Sequence, residues 1–92
     1  MLIGILQLDL RIGDALNLKD KRRIVRSLKD KWHHHHNVSV AEVDAQEQRQ
    51  LAVLGIAMVG SDVHHVRTTL EQITEGLRRH PVAEFLDHEM EV

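Results

Sequence analysis

The spacing between apolar residues changes repeatedly along this chain, and it constrains the fold more than any other feature. Apolar residues alternate with polar ones from Leu6 to Ile12, which is typical of a strand with one buried face. From about Leu18 they recur every three or four residues, as on one face of a helix, and Asn17 stands where an N-cap is expected. The chain is therefore predicted to begin with a strand and a helix.

Two further strands are predicted after this helix. Asn37 ends the helical spacing, and the β-branched segment from Val38 to Val43 predicts a second strand. The segment from Leu51 to Val59 is apolar at nearly every position, which predicts a central strand that is covered on both sides. The polar residues between these two segments predict a turn.

A second helix and a last strand complete the order. Either Ser61 or Asp62 is expected to cap a helix with a regular apolar stripe, and Pro81 lies just beyond its end. A last strand is predicted from about Ala83 to Glu91. The order βαββαβ predicts an α+β, ferredoxin-like fold, in which both helices lie on one face of a four-stranded antiparallel sheet ordered 4-1-3-2.

The composition agrees with one domain that spans residues 1–92. This length suits a single hydrophobic core. Aromatic residues make up 2% of the chain, so aliphatic side chains must fill the core, and no cysteine is present for a disulfide or a thiolate ligand. No signal peptide or membrane-spanning run is recognisable, and we expect a cytoplasmic protein without a membrane partner.

Two segments of the chain resemble the bacterial YlxP-like family of small proteins. LNLKDKRRIVRSLKDK resembles the family's "SLKEKR" helix start, and NVSVAEVD resembles its "NVSVAEV" second strand. The resemblance implies a ferredoxin-like fold over essentially the whole chain. The family is biochemically uncharacterised, but its genes often lie beside those of translation initiation and ribosome maturation factors, which implies association with RNA or ribosomes. The chain departs from the family at His33 to His36, where members usually carry basic and aromatic residues.

Positive charge is concentrated on the first predicted helix. Seven of the twelve Lys and Arg residues lie between Lys19 and Lys31. Five of them fall in one arc opposite the apolar stripe, and Arg78 and Arg79 are expected at the same end of the domain. Such a surface suits phosphates of nucleic acids or other anions, whereas the alternative is an ordinary solvated helix face. The five residues of the arc are Lys19, Arg22, Arg23, Arg26 and Lys29.

The expected partner of this surface is rRNA or a ribosomal subunit. RNA-reading domains of this topology stack bases on aromatic residues of the sheet, and the first and third predicted strands contain none. Contacts to phosphates that are largely independent of sequence are therefore expected.

Lys21 differs from the other cations because it points toward the apolar side of the helix. Its aliphatic stem could pack on the sheet edge while the ammonium group reaches solvent. The alternative is a buried functional lysine.

Four consecutive histidines, His33 to His36, lie inside the chain. Adjacent residues do not converge on one ion, but the predicted topology brings further histidines to the same end of the domain. A zinc, nickel or copper site is one interpretation, and a solvated helix end is the other. We expect no resident cofactor, although adventitious nickel or zinc binding is expected. The candidate ligands are His33, His36, His64, His65 and His88.

No nucleophile elbow, phosphate loop or HExxH motif is present, and we expect a protein that is not an enzyme. The third strand is apolar on both faces, so a second copy packing on the open sheet face would form a homodimer. Three functions are consistent with the sequence: an accessory protein that associates with RNA or ribosomes, a dimeric protein-interaction or regulatory module, and a histidine-based metal-binding domain.

Overall fold

A computed structural model describes all residues from Met1 to Val92 and contains four strands and two helices. The predicted element order is confirmed, and the boundaries differ from the predicted ones by a few residues. The first strand is the main exception, because it begins at Leu2 rather than near Leu6. The elements are β1 (Leu2–Arg11), α1 (Leu18–His35), β2 (Val38–Asp44), β3 (Leu51–Gly60), α2 (Val63–Arg78) and β4 (Glu84–Glu91).

The four strands form one antiparallel sheet in the order β2-β3-β1-β4. This is the predicted order 4-1-3-2 read from the other edge, and it makes β2 and β4 the edge strands. The two central strands pair without interruption from Leu2 opposite Gly60 to Arg11 opposite Leu51. The pairing of each edge strand shifts register once, between Asp9 and Leu10 of β1 next to β4 and between Glu42 and Asp44 of β2.

Side chains that cap the helices fix where each helix begins. The side chain of Asn17 accepts a hydrogen bond from the Asp20 N–H at 2.9 Å, and the Asp20 carboxylate accepts one from the Leu16 N–H at 3.0 Å. Of the two predicted caps of α2, Asp62 is the N-cap, and its carboxylate accepts hydrogen bonds from the N–H groups of His64 and His65. Both helix starts therefore follow directly from local sequence.

The core lies between one face of the sheet and the two helices. Leu6, Leu8 and Leu10 of β1 are completely buried there, as predicted from the alternation. The alternate residues of the sheet point to the opposite face, which no element of the chain covers; we call it the open face. Neither helix has the length and apolar character needed to cross a membrane.

Candidate functional site

Three of the predicted cations line one cleft between α1 and the edge strand β2. Arg22, Arg26 and Lys29 follow each other at spacings of four and three residues, which places them on one side of the helix. Val25 and Glu42 complete the wall of this cleft, whose volume is about 220 Å³. The guanidinium groups of Arg22 and Arg26 and the ammonium group of Lys29 have no carboxylate within 4.0 Å. We call these three residues the basic flank.

The structure separates the basic flank from the remaining predicted cations. Arg23 pairs with Asp20 of its own helix at 3.3 Å, which partly neutralises it. Arg78 pairs with Glu75 at 3.2 Å, and its guanidinium carbon lies 4.1 Å from the centre of the Phe85 ring on β4. Because β4 and β2 are opposite edges of the sheet, about 14 Å apart, Arg78 does not extend the basic flank. Lys19 and Arg79 are exposed and take part in no ion pair.

Lys21 is completely buried, so the expectation that its ammonium group reaches solvent is wrong. The ammonium nitrogen donates hydrogen bonds to the carbonyl oxygens of Ala45, Gln46 and Leu51 at 2.8, 3.2 and 3.1 Å. The Glu42 carboxylate lies 2.7 Å from the same nitrogen, through an oxygen that is itself buried. A positive charge from α1 is thus enclosed by four oxygens of β2, β3 and the turn between them.

The hydrogen bonds from Lys21 stabilise the conformation of the β2–β3 turn. Ala45 has a positive φ of 59°, which is unusual for a residue with a side chain, and its carbonyl is one of the three that accept from Lys21. The spacing of three and four residues identifies Lys21 as lying on the buried side of α1, but only tertiary structure brings the carbonyl groups of a distant turn to it. Lys21 therefore holds the fold together beneath the basic flank.

The predicted histidine ligands do not converge. His33 is exposed in the last turn of α1, and His64 and His65 are exposed in the first turn of α2. His88 pairs with Leu8 of β1, whereas Val66 of α2 lies against Gly4, so His88 lies roughly 13 Å along the strands from that end. The expected placement of His88 with the other histidines is wrong. Nowhere in the chain do three His, Asp or Glu side chains come close enough to hold a metal ion.

His36 is the C-cap of α1, and its own N–H donates to the carbonyl oxygen of Trp32 at 2.9 Å. Burial, followed by the nearby His35, lowers the pKa of His36 from its ordinary value. The rings of His34 and His35 are 5.0 Å apart in an edge-to-face arrangement. The run is therefore a helix end that favours neutral imidazole at His36, and adventitious nickel or zinc binding by its exposed members stays a prediction.

The match to a known protein family extends over nearly the whole chain rather than over one motif. Residues 3–90 match the family described as "Protein of unknown function (DUF503)". The chain belongs to the DUF503 family. A search of the curated proteins found no match to it. Membership in this family shows which proteins are related to this chain, but it assigns no activity to them.

Two solved structures of designed proteins resemble this DUF503 fold. "De novo designed protein Foldit4" aligns with a TM-score of 0.62 and 12% identity over 99% of this chain and 98% of the designed one. "De novo designed protein LFR1 1 with ferredoxin fold" aligns with a TM-score of 0.58 and 14% identity over 100% of this chain and 87% of the designed one. At such low identity the likeness shows the fold alone, and it is the predicted ferredoxin-like fold.

His80 of the DUF503 chain holds the segment between α2 and β4. Its Nδ1 accepts hydrogen bonds from the N–H groups of Val82 and Ala83 at 3.1 and 2.9 Å, which requires that this nitrogen carry no proton. Burial, followed by the positive charge of Lys31, lowers the pKa of His80 from its ordinary value. The folded chain therefore favours the neutral form of the His80 imidazole.

A loss of stability below pH 6.5 follows from this contact. Because the folded pKa of His80 lies below the unfolded one, its contribution is complete above about pH 6.5 and is lost as the pH falls through the folded pKa. We expect the urea midpoint of wild type to fall more between pH 7 and pH 5 than that of His80→Asn, whose amide oxygen accepts hydrogen bonds without titrating. Equal pH dependence of the two proteins would contradict the assignment.

Proposed function

We propose that this DUF503 chain is a non-enzymatic accessory protein that attaches to structured RNA through its basic flank. The observation that supports the proposal is the cleft in which Arg22, Arg26 and Lys29 lie side by side without carboxylate partners. The other cations of α1 are buried, paired or outside this cleft. An unpaired row of cations on a chain whose net charge is -2 marks a local attraction for anions rather than an effect of overall charge.

The geometry of the basic flank favours a polyanion. The first and last of the three residues are seven residues apart in α1, which corresponds to about 10 Å along the helix axis. Guanidinium groups bind phosphate oxygens in a bidentate manner, and the ammonium group of Lys29 adds a point charge. A nucleic-acid backbone presents several phosphates over such a length, and each one that is neutralised releases counterions.

Recognition of a particular base sequence is not part of this proposal. The open face of the sheet carries no aromatic ring, because Trp32 is buried in the core and Phe85 lies under Arg78 on the helix side. Stacking of bases on the sheet therefore has no platform. Contacts to phosphates fix a protein on folded RNA without reading its sequence, which suits attachment to an rRNA surface.

The resemblance to the YlxP-like family favours a ribosomal target in the cytoplasm. Genes of that family often lie beside those of translation initiation and ribosome maturation factors. The segments that carry the resemblance include the basic flank itself, within LNLKDKRRIVRSLKDK, and the edge strand that borders the cleft, within NVSVAEVD. The proposal therefore names rRNA in a ribosomal subunit as the RNA to test first.

Reversal of charge in the basic flank is expected to abolish this binding. Wild type should co-sediment with ribosomal subunits at low salt, and the Arg22→Glu/Arg26→Glu variant should stay in the supernatant. If three phosphate contacts are made, affinity should fall about 40-fold between 50 and 200 mM salt. Both replaced side chains are exposed, so the variant is expected to fold.

Arg49→Glu/Arg67→Glu is the matched control for this experiment. It changes the net charge by the same amount at two exposed positions, one in the β2–β3 turn and one in α2, that lie outside the cleft. The control variant should bind like wild type. If both variants lose binding equally, overall charge rather than the basic flank attaches the protein to the ribosome. If wild type is absent from the pellet, the proposal is wrong.

A further inference from the structure

The open face of the sheet has an apolar part, a polar row formed by Gln7, Asp9 and Arg11 of β1, and an acidic outer strand. Ile3 and Ile5 of β1, Val43 of β2 and Val59 of β3 are each about half exposed, with values from 49% to 52%. The outer strand β4 continues the same face with carboxylates, because its residues pair with the open-face residues of β1. The acidic residues on β4 are Glu84, Asp87, Glu89 and Glu91.

The apolar part contains both a depression and a side chain that stands beside it. Small residues of β2 and β3, namely Ser39, Ala41, Gly55 and Ala57, leave a depression of about 300 Å³ between Val43 and Ile5. The Ile5 side chain stands at the rim of this depression. Ile5, Ala57 and Ser39 are direct neighbours across three consecutive strands, so they lie at one level of the sheet.

From these two features we infer that the open face binds the open face of a second copy of this chain. The two-fold axis runs parallel to the strands and passes above β3. Rotation about that axis leaves the position of each residue along the strand direction unchanged. It places β1 of one copy opposite β2 of the other. Ile5 of each copy then enters the depression beside Ser39 of the other, in the aligned face-to-face packing that sheets adopt.

The carboxylates of β4 favour this axis over its alternative, although this axis places Asp9 of each copy opposite Asp44 of the other. An axis in the interface but perpendicular to the strands would place each β4 on the β4 of the partner, with Asp87, Glu89 and Glu91 opposed to the same carboxylates. The axis above β3 leaves both β4 strands outside the overlapped region, where their carboxylates stay in water. It also turns each acidic strand toward the side on which the other copy carries its basic flank.

The size of the overlapped face sets the expected strength of the dimer. Its three strands of ten, ten and seven residues cover roughly 430 Å² of sheet per copy, against the roughly 800 Å² per partner of a standard interface. A reversible dimer that dissociates on dilution is therefore expected, rather than a permanent one. This inference does not depend on RNA binding, because the basic flank lies outside the overlapped face.

Sedimentation velocity over a dilution series tests the interface. Wild type should shift from dimer to monomer on dilution, and Ile5→Lys should raise the dissociation constant at least about 30-fold, since it replaces the apolar residue that enters the depression of the other copy. Leu16→Lys is the control, because Leu16 is 78% exposed but lies before α1, away from the open face. It should dimerise like wild type. A wild-type monomer at every concentration, or an Ile5→Lys dimer of unchanged strength, would overturn the inference.

Crosslinking tests the axis, and the absence of native cysteine makes it direct. In the proposed dimer the two Ala57 residues face each other across the axis, about 10 Å apart, whereas the two Glu89 residues are separated by about 20 Å. A short bis-maleimide reagent should therefore join two copies of Ala57→Cys and leave Glu89→Cys monomeric on a denaturing gel. Efficient joining of Glu89→Cys, with or without joining of Ala57→Cys, would contradict the strand-parallel axis.

Discussion

Replacement of Lys21 with methionine is expected to lower the free energy of unfolding by about 3–5 kcal/mol, which is the cost of removing one partner from a buried charge pair. The variant keeps the apolar stem but leaves the buried oxygen of Glu42 without a counter-ion. It also removes the donor to three carbonyl groups, those of Ala45, Gln46 and Leu51. Since small domains have only about 5–15 kcal/mol of stability, the variant should lie close to unfolding at room temperature.

Urea denaturation of wild type and four variants measures this effect and assigns it to the pair. Glu42→Gln alone should also be destabilising, and Lys21→Met/Glu42→Gln should cost clearly less than the sum of the two single changes, because both charges are then removed together. Lys31→Met is the control, since this lysine is exposed and should change stability by less than about 0.5 kcal/mol. If Lys21→Met unfolds at the wild-type midpoint, the ammonium group is solvated and the buried contact is disproved.

Local patterns suffice for most of the fold. The alternation from Leu6 to Ile12, the apolar stripe of α2 and the capping position of Asn17 each depend on neighbours within a few residues, and each is confirmed. The strand order follows because right-handed crossovers leave few arrangements for βαββαβ. The ammonium group of Lys21 could not be placed in this way, since its partners lie 21 to 30 residues further along the chain.

The candidate site was predictable as a set of residues but not as a surface. A helical wheel groups five cations of α1, yet it cannot tell which side of that arc faces the edge strand and which residue meets Asp20. The position of Arg78 depends on Phe85 of β4, and that of His88 on the register of β4 against β1. These are contacts between elements distant in sequence, which periodicity does not encode.

The close approach of α2 to the sheet is a second feature that periodicity did not reveal, and Gly4→Ala is expected to destabilise the fold by about 1–3 kcal/mol because of it. A Cβ atom at Gly4 would lie 2.4 Å from Cγ1 of Val66 and 3.0 Å from Cδ1 of Leu70. Val66 is completely buried and β-branched, so it has no other rotamer into which it can easily move. Gly60 on the neighbouring strand approaches the same valine, at 2.6 Å from Cγ2.

The sign of this effect distinguishes steric conflict from backbone preference. Alanine is intrinsically better than glycine inside a strand or helix by about 0.5–1 kcal/mol, so without the conflict Gly4→Ala would stabilise the protein. Gly76→Ala provides that reference, since nothing lies within 4 Å of its Cβ position in α2, and it should raise the urea midpoint. In the Val66→Ala background the conflict disappears, and Gly4→Ala should become nearly neutral or stabilising. If the Gly4→Ala protein is as stable as the Gly76→Ala protein, Val66 of α2 does not lie as close to Gly4 and Gly60 as the structure shows.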